Sequence, residues 1–181
     1  IYDGLEWGCN GEYIGGPRNN EWTEGNHINR FRQEYDDYRY TPLTLDIIPQ
    51  CLELETKWCK ENNCSDNEDL LNERRSMTYA LQHFEELGIM GGAIWVGGEI
   101  VAFTFGAPIT QDTFGVHVEK ADTDIEGAYA VINQEFAQHI PEQYIYINRE
   151  EDLGIPGLRK AKLSYHPAIL LEKNVAILHH V

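Results

Sequence analysis

The sequence predicts an α/β fold in which a mixed, mostly antiparallel sheet is flanked by helices. Five segments carry apolar residues at helical spacing, and several shorter segments alternate apolar and polar residues. A Gly-Gly pair separates two of these alternating segments. With 42% hydrophobic residues, a chain of 181 residues can bury one sizeable core. The expected order of elements is β-α-α-β-β-β-α-β-α-β, in one α/β domain.

The N-terminal part divides into a leader and the start of the domain. Residues 1–36 are predicted to be a leader and connecting helix from an upstream half of the same protein, and residues 37–181 the domain itself. Residues 1–25 are rich in Gly and Asn without a sustained period, so an irregular segment is expected. Residues 26–35 show one apolar helical face, and residues 37–41 are typical of a strand.

Two helices are predicted next. Thr44 is a suitable N-cap for a helix that runs to about Asn62. Asn67 is expected to cap a second helix that runs to about Leu87, where Gly88 is the expected stop.

Three strands are predicted in the middle of the chain. They cover residues 89–96, 99–107 and 113–120, and Gly97-Gly98 forms a tight turn between the first two. In the third strand, alternation predicts Phe114, Val116 and Val118 on one face, with His117 and Glu119 on the other. A helix over 125–139, a strand over 143–147, a helix over 156–163 and a closing strand within 168–178 complete the prediction.

Charge is unevenly distributed along the chain. The net charge is −16, and Lys120 is the single Lys or Arg within residues 76–140. A protein this acidic repels nucleic acid at long range, so a polyanionic ligand has to be met by local positive charge. The last 41 residues, which balance acidic and basic side chains, provide the only such segment.

The four cysteines are Cys9, Cys51, Cys59 and Cys64, and none of them forms a CxxC pair. We therefore expect free thiols in a reducing cytoplasm and no metal site. No apolar run approaches the length of a membrane span.

The segment 144–167 is the most informative part of the sequence. A β-rich strand ends in Arg149, Glu150, Glu151 and Asp152, and a Gly/Pro turn then opens a short helix. Exposed positions of that helix carry Arg159, Lys160 and Lys162, and Tyr165 follows it. Because crowding charged side chains at a strand end costs stability, we expect this segment to serve a ligand.

Several motifs resemble known families. The order of elements, the run Thr41-Pro42-Leu43-Thr44, and Asn148 followed by Ala161 and Tyr165 resemble the GCN5-related N-acetyltransferases over about residues 37–178. The runs 26–31, 103–106, 117–121 and 144–167 look more specifically like the bacterial family similar to the C-terminal domain of phosphatidylglycerol lysyltransferase. That resemblance implies two acetyltransferase-like halves, of which this chain holds the second.

The resemblance, mainly for Tyr165, and the chemistry and position of the other residues together suggest roles for individual side chains. In such a site Glu119 is the expected base, with His117 as the alternative, and Tyr165 is the acid that protonates the leaving group. Arg149 with Lys120 would clamp an anion, and Asp152 would hold a substrate amine. Arg159 and Lys160 would meet a nucleotide or the acceptor end of a tRNA. The alternatives remain open. His117 and Glu119 could form a solvated sheet face or ion pairs with Lys120 or Arg149, residues 149–152 could be a local ion-pair cluster that caps the next helix, and the cations of that helix could form a solvated face.

One junction departs from the coenzyme A-binding pattern of the superfamily. The loop that would receive the pyrophosphate, residues 119–128, offers one glycine and the acids Asp122, Asp124 and Glu126. Acidic groups there oppose a bound pyrophosphate.

The resulting hypothesis is an acyltransferase-like domain that transfers an acyl or aminoacyl group to an amine or hydroxyl. Aminoacyl-tRNA is favoured as the donor over acyl-coenzyme A. The alternatives are a coenzyme A-dependent N-acetyltransferase with an atypical pyrophosphate loop, and a catalytically silent module that binds a small molecule or a partner. The expected partners are a small-molecule or lipid-type acceptor, a tRNA acceptor end, and the upstream half of the protein, in the cytoplasm.

Overall fold

The computed structural model describes residues 10–15 and 25–173, which contain seven strands of one sheet and five α-helices. The strands are β1 (Asn10–Gly15), β2 (Arg39–Pro42), β3 (Met90–Val96), β4 (Glu99–Pro108), β5 (Thr113–Ala121), β6 (Tyr146–Asn148) and β7 (Ile169–Lys173). The helices are α1 (Gly25–Glu34), α2 (Ile48–Glu61), α3 (Glu68–Gln82), α4 (Ala128–His139) and α5 (Pro156–Ser164). A short 3₁₀ turn, Cys64–Asp66, joins α2 to α3.

The strands lie in the order β2-β3-β4-β5-β6-β1-β7. All neighbouring strands are antiparallel except β5 and β6, which are parallel. This mixed, mostly antiparallel sheet with flanking helices confirms the predicted fold class.

Helices cover both faces of the sheet. The apolar stripes of α2 and α3 pack with β3 and β4 in one core cluster, which includes Cys51, Leu81 and Phe103. On the other face α1 and α4 pack against the sheet through residues such as Phe31 and Ile132. Amphipathic helices bury their apolar stripe in this way because that removes apolar area from water. None of the helices in the described ranges has the length and apolar character that a membrane crossing needs.

The irregular structure predicted for residues 1–25 is wrong for residues 10–15. These residues form β1, which pairs with β6 on one side and β7 on the other. Both partner strands lie more than 130 residues further along the chain, so the pairing is long-range and leaves no local signal.

Most predicted boundaries lie within a few residues of the observed ones, and the departures have local causes. Asn67 caps α3 as predicted, because its Oδ1 accepts the backbone N–H of Leu70 at 3.2 Å. The helix predicted from Thr44 begins instead at Ile48, after a turn, with Pro49 in its first turn where its missing N–H costs nothing. Gly97 and Gly98 have φ of 58° and 88°, as a two-residue hairpin turn requires.

The simple alternation predicted for β5 is wrong because the strand contains a bulge. Phe105 pairs with Val118 while the next residue of β4, Gly106, pairs with Val116, so His117 is an extra residue. An extra residue exchanges the two faces for everything that follows. Val116 therefore packs on the α4 side, and Val118 packs on the α2–α3 side.

The prediction of free thiols is wrong for two cysteines. Cys59 at the end of α2 and Cys64 form a disulfide with Cα atoms 5.1 Å apart. The left-handed Asn63, with φ of 51°, turns the chain back so that Cys64 lies beside the last turn of α2. Cys51 is a free, buried thiol. Cys9 and the predicted strand residues beyond Lys173 lie outside the described residues.

Candidate functional site

The candidate site begins where β5 and β6 separate. Their parallel pairing covers only Thr113 to Gly115 and Tyr146 to Asn148. Beyond Gly115, β5 continues along β4 to Ala121, whereas the chain after Asn148 leaves the sheet. The divergence leaves a gap beside β5, which we call the cleft.

The far end of the open β5 edge is bridged by two side chains from opposite faces of the sheet. Trp58 of α2 donates its indole N–H to the hydroxyl of Tyr129 of α4 at 3.0 Å. Burial raises the pKa of Tyr129 above its ordinary value. Side chains of the two helices meet at the β5 edge that faces away from β4, where no strand pairs with β5 beyond Gly115 in the described part of the chain.

Four side chains from four elements meet in this cleft, and we call them the cleft cluster: Glu119 of β5, Asn133 of α4, Arg149 after β6, and Tyr165 at the end of α5. Arg149 donates to Asn133 Oδ1 at 2.8 Å, and Asn133 donates to Glu119 at 3.3 Å. Arg149 Nη1 lies 3.6 Å from Glu119 Oε2. The Arg149 guanidinium lies 5.0 Å from the centroid of the Tyr165 ring. Sequence reasoning brought three of these residues together and missed Asn133.

The cleft cluster combines charge with partial burial. The side chains of Arg149 and Glu119 are 10% and 19% exposed. A carboxylate, a guanidinium and a phenol in a partly desolvated cleft can accept a proton, bind an anion and donate a proton. Such groups are typical of ligand sites, because their burial is costly without a function.

The loop after β6 has an unusual backbone. Glu150 and Leu153 have φ of 58° and 51°, in the left-handed region that non-glycine residues avoid. Lys162 of α5 holds this loop, donating to the carbonyls of Arg149 and of Glu151, the latter at 2.6 Å. Burial lowers the pKa of Lys162. Strained backbone held by a half-buried cation is typical of functional loops.

Asp152 and Arg159, which the sequence predicted as ligand-binding residues, pair with each other. Asp152 is 0% exposed, and its carboxylate accepts Arg159 Nε at 2.6 Å, Arg159 Nη2 at 3.2 Å and the backbone N–H of Gly154 at 2.8 Å. An aspartate with these partners is already satisfied, so the predicted contact to a substrate amine has no support in this geometry. Lys160 is exposed, while Arg159 and Lys162 bind the chain itself. The three cations of α5 therefore do not form one basic patch.

Lys120 lies on the opposite face of the sheet from the cleft cluster. It is buried, its Nζ is 2.7 Å from Glu73 Oε1, and it sits 3.5 Å from the centroid of the Trp58 ring. The structure therefore does not bring Lys120 and Arg149 together into the predicted anion clamp. Its ion pair with Glu73 and its cation–π contact with Trp58 stabilise the packing of β5 against α2 and α3 instead.

Beside Lys120 the structure contains a buried acid. Glu55 Oε2 has no hydrogen-bond partner among the described residues, and burial raises the pKa of Glu55. Lys120 and Arg74 oppose that rise, while Glu73 adds to it.

The raised pKa of Glu55 predicts a specific pH dependence of stability. A carboxyl with a raised folded-state pKa binds more protons folded than unfolded, so its contribution falls as pH rises above about 4.3, the unfolded value. Glu55→Gln is therefore expected to gain stability relative to the parent as pH rises from about 4 to 7. Urea unfolding across this range measures it, with Glu53→Gln on the exposed side of α2 as the control. A pH-independent difference would contradict the prediction.

His117, the bulge residue of β5, contacts the loop after β6. Its Nδ1 is 2.6 Å from Glu150 Oε1, and both side chains are about two-fifths exposed. His117 therefore pairs with the loop after β6, and the structure does not bring it into contact with Glu119.

The loop before α4 is acidic and already internally paired. Lys57 lies 2.6 Å from Asp122 and 3.4 Å from Asp124, and Arg30 lies 2.9 Å from Glu126. Glu61, Asp122 and Asp124 could together hold a metal ion, but the Lys57 ammonium lies within 4 Å of each carboxylate.

The N-terminus of α4 is also closely covered. Gly127, with φ of 86°, packs so tightly against α1 that a Cβ there would lie 2.8 Å from the carbonyl oxygen of His27.

The sequence matches a known protein family, and the fold is similar to several solved structures. The family model described as "Phosphatidylglycerol lysyltransferase, C-terminal" matches residues 25–177. A search of curated proteins finds no match.

Among solved structures, a conserved protein of unknown function from Bacteroides thetaiotaomicron is 60% identical, with a TM-score of 0.86 over 92% of this chain and 58% of that one. L-PGS from Bacillus licheniformis is 13% identical, with a TM-score of 0.60 over 94% of this chain and 60% of that one. Ribosomal-protein-alanine N-acetyltransferase from Brucella melitensis is 13% identical, with a TM-score of 0.51 over 80% of this chain and 99% of that one. The last two similarities establish the fold alone. The chain thus spans about three-fifths of the length of the first two.

Proposed function

The chain belongs to the phosphatidylglycerol lysyltransferase C-terminal family, and from this premise we propose that it carries the transfer site of an aminoacyltransferase. The enzyme would move an aminoacyl group from aminoacyl-tRNA to an amine or hydroxyl acceptor. The observation that carries the proposal is the cleft cluster, in which Glu119, Arg149 and Tyr165 converge where β5 and β6 separate.

The cleft cluster supplies the groups that such a transfer requires. Glu119 takes the proton from the attacking amine or hydroxyl as its bond to the carbonyl carbon forms. The ester bond to the tRNA ribose breaks, and Tyr165 returns a proton to the departing ribose oxygen. Arg149, 5.0 Å from the Tyr165 ring, stabilises negative charge on that side of the site.

Two observations favour aminoacyl-tRNA over a coenzyme A donor. The loop before α4 carries Asp122, Asp124 and Glu126, and α1 packs closely against Gly127. A pyrophosphate at this helix N-terminus would meet acidic side chains and a carbonyl oxygen rather than accessible N–H groups. The acceptor end of a tRNA needs no such loop.

The proposal includes an upstream half of the same protein as a partner. A set of large apolar side chains near the C-terminal end is exposed: Leu153, Ile155, Leu163, Ile169, Leu170 and Leu171. Helix α5 has no buried residue. Several large exposed apolar side chains in one part of a surface are typical of an interface, and the Bacteroides protein is longer than this chain.

We also propose a small-molecule or lipid-type acceptor and a cytoplasmic location, where aminoacyl-tRNA is available. The Cys59–Cys64 disulfide argues against that location, because reducing compartments keep most thiols reduced.

The test is a transfer assay on the longest native protein that contains this chain. It is incubated with radiolabelled aminoacyl-tRNA or acetyl-coenzyme A, and with phosphatidylglycerol vesicles or a lysine-rich peptide as hydroxyl and amine acceptors. We expect label to move from tRNA to one of the acceptors. Label that moves only from acetyl-coenzyme A would replace the proposal with the N-acetyltransferase. No transfer from either donor would overturn it in favour of a silent binding module.

A further inference from the structure

Asn133 lies at the centre of the cleft cluster, although its position in the sequence gave no indication of a site residue. It is 1% exposed and belongs to α4, among the buried apolar residues Val131, Ile132 and Phe136. A buried amide in such surroundings needs hydrogen-bond partners, and Asn133 finds them in two oppositely charged residues.

Only one orientation of the Asn133 amide suits both neighbours. Arg149 can only donate hydrogen bonds, and it donates to Oδ1 at 2.8 Å. An ionised Glu119 can only accept them, and it accepts from Nδ2 at 3.3 Å. Asn133 thus presents its acceptor to the cation and its donor to the anion.

The ion pair that Asn133 bridges is not fully closed. Arg149 Nη1 lies 3.6 Å from Glu119 Oε2, beyond the 2.7–2.9 Å typical of a direct charged hydrogen bond. Asn133 bonds one guanidinium nitrogen of Arg149 and one carboxylate oxygen of Glu119. It therefore fixes both side chains without closing the direct ion pair between them.

We propose that Asn133 is a positioning residue that acts as a spacer between Glu119 and Arg149. The inference rests on the proposed function, because a base and an anion-binding group lose their use when they neutralise each other. With the spacer present, the Glu119 carboxylate and the Arg149 guanidinium stay 3.6 Å apart, so neither neutralises the other in a direct hydrogen-bonded pair. Without it, the two side chains close into a direct bidentate pair.

Asn133→Ala removes the spacer, and Asn133→Asp keeps the shape but replaces the donor with a second carboxylate. In the transfer assay, Asn133→Ala is expected to lower the maximal rate at least tenfold, the effect of losing about one charged hydrogen bond. It should also move the acidic limb of the pH–rate profile to lower pH, because a carboxylate paired with arginine is harder to protonate. A purely structural role would not move that limb.

Gln134→Ala is the matched control. It deletes an amide at the next position of α4, where Gln134 Oε1 accepts a hydrogen bond from Arg32 of α1 at 3.0 Å, away from the cleft. This variant is expected to leave both the rate and the pH profile unchanged.

A second readout needs no turnover. Inorganic phosphate is titrated against ¹⁵N-labelled protein while the side-chain N–H signal of Arg149 is followed. The parent should respond to phosphate, while Asn133→Ala and Asn133→Asp should respond at least tenfold more weakly, because a carboxylate occupies the guanidinium. Equal responses in all three proteins, or none in the parent, would overturn the spacer. A phosphate response without aminoacyl transfer would instead overturn the proposed function and leave the spacer standing.

Discussion

Glu119→Gln is expected to lower the single-turnover rate of transfer by about 10²–10⁴-fold, the usual contribution of a general base. Gln has the same shape but cannot accept a proton at neutral pH. The change should cost less than about 2 kcal/mol of stability, because Arg149 keeps its hydrogen bond to Asn133. A quenched single-turnover assay measures the rate of transfer, and urea unfolding measures the free energy of unfolding.

The control for this prediction is Glu135→Gln. Glu135 belongs to α4, and its side chain is 13% exposed. It pairs with Arg32 at 3.0 Å, outside the cleft. The same chemical change there should leave the rate of transfer within about twofold of the parent, as for a residue remote from the reacting atoms.

Tyr165→Phe extends the same prediction to the proton donor. It removes one hydroxyl and keeps the ring beside Arg149, so the fold is expected to persist while turnover falls. If Glu119→Gln and Tyr165→Phe both retain full activity, neither residue has the role that we assign to it.

The part of the fold that the sequence predicts well is the part with local signals. The apolar stripes of α2 and α3, the Gly97-Gly98 turn and the helix of segment 156–164 all follow from residues close together in sequence. Strand β1 could not be predicted in this way. It is short and glycine-containing, and its partners β6 and β7 come from the far end of the chain.

The candidate site shows the same limit in more detail. The crowding of charges after β6 predicted a segment that serves a ligand. In the structure, Arg149 from this segment lies 3.6 Å from Glu119. Which charges meet a ligand and which meet each other depends on tertiary geometry. The bulge at His117 changes the faces of β5, and Lys120 ends beside Glu73 on the side opposite Glu119. Asn133 is followed by Gln134 and Glu135 in α4, so nothing in the sequence marked it as the polar residue that would be buried.

Arg159→Met is expected to cost about 3 kcal/mol of stability, at the lower end of the range for breaking a buried ion pair. The cost arises at Asp152, which is 0% exposed and would lose both hydrogen bonds from the Arg159 guanidinium. The lower end applies because the Arg159 side chain is itself 46% exposed, so water replaces part of what is lost.

The origin of this cost can be isolated with a double-mutant cycle. Asp152→Asn removes the buried charge, so the double variant Asp152→Asn/Arg159→Met should be more stable than Arg159→Met alone. Lys160→Met, at the next and exposed position of α5, should change stability by no more than about 0.5 kcal/mol. If Arg159→Met and Lys160→Met cost the same, the pair does not hold the loop.

The same substitution links stability to the site. Asp152 lies three residues after Arg149, and its pairing with Arg159 ties the loop to α5, where Lys162 already holds the carbonyls of Arg149 and Glu151. The loop is thus fixed to α5 by the Asp152–Arg159 pair and by Lys162. Loss of the Asp152–Arg159 pair should let the Arg149 guanidinium move from the position in which Asn133 holds it. Arg159→Met is therefore expected to reduce transfer at temperatures where the protein is still folded, and Lys160→Met is not. An unchanged rate would mean that Lys162 alone is sufficient to fix the loop.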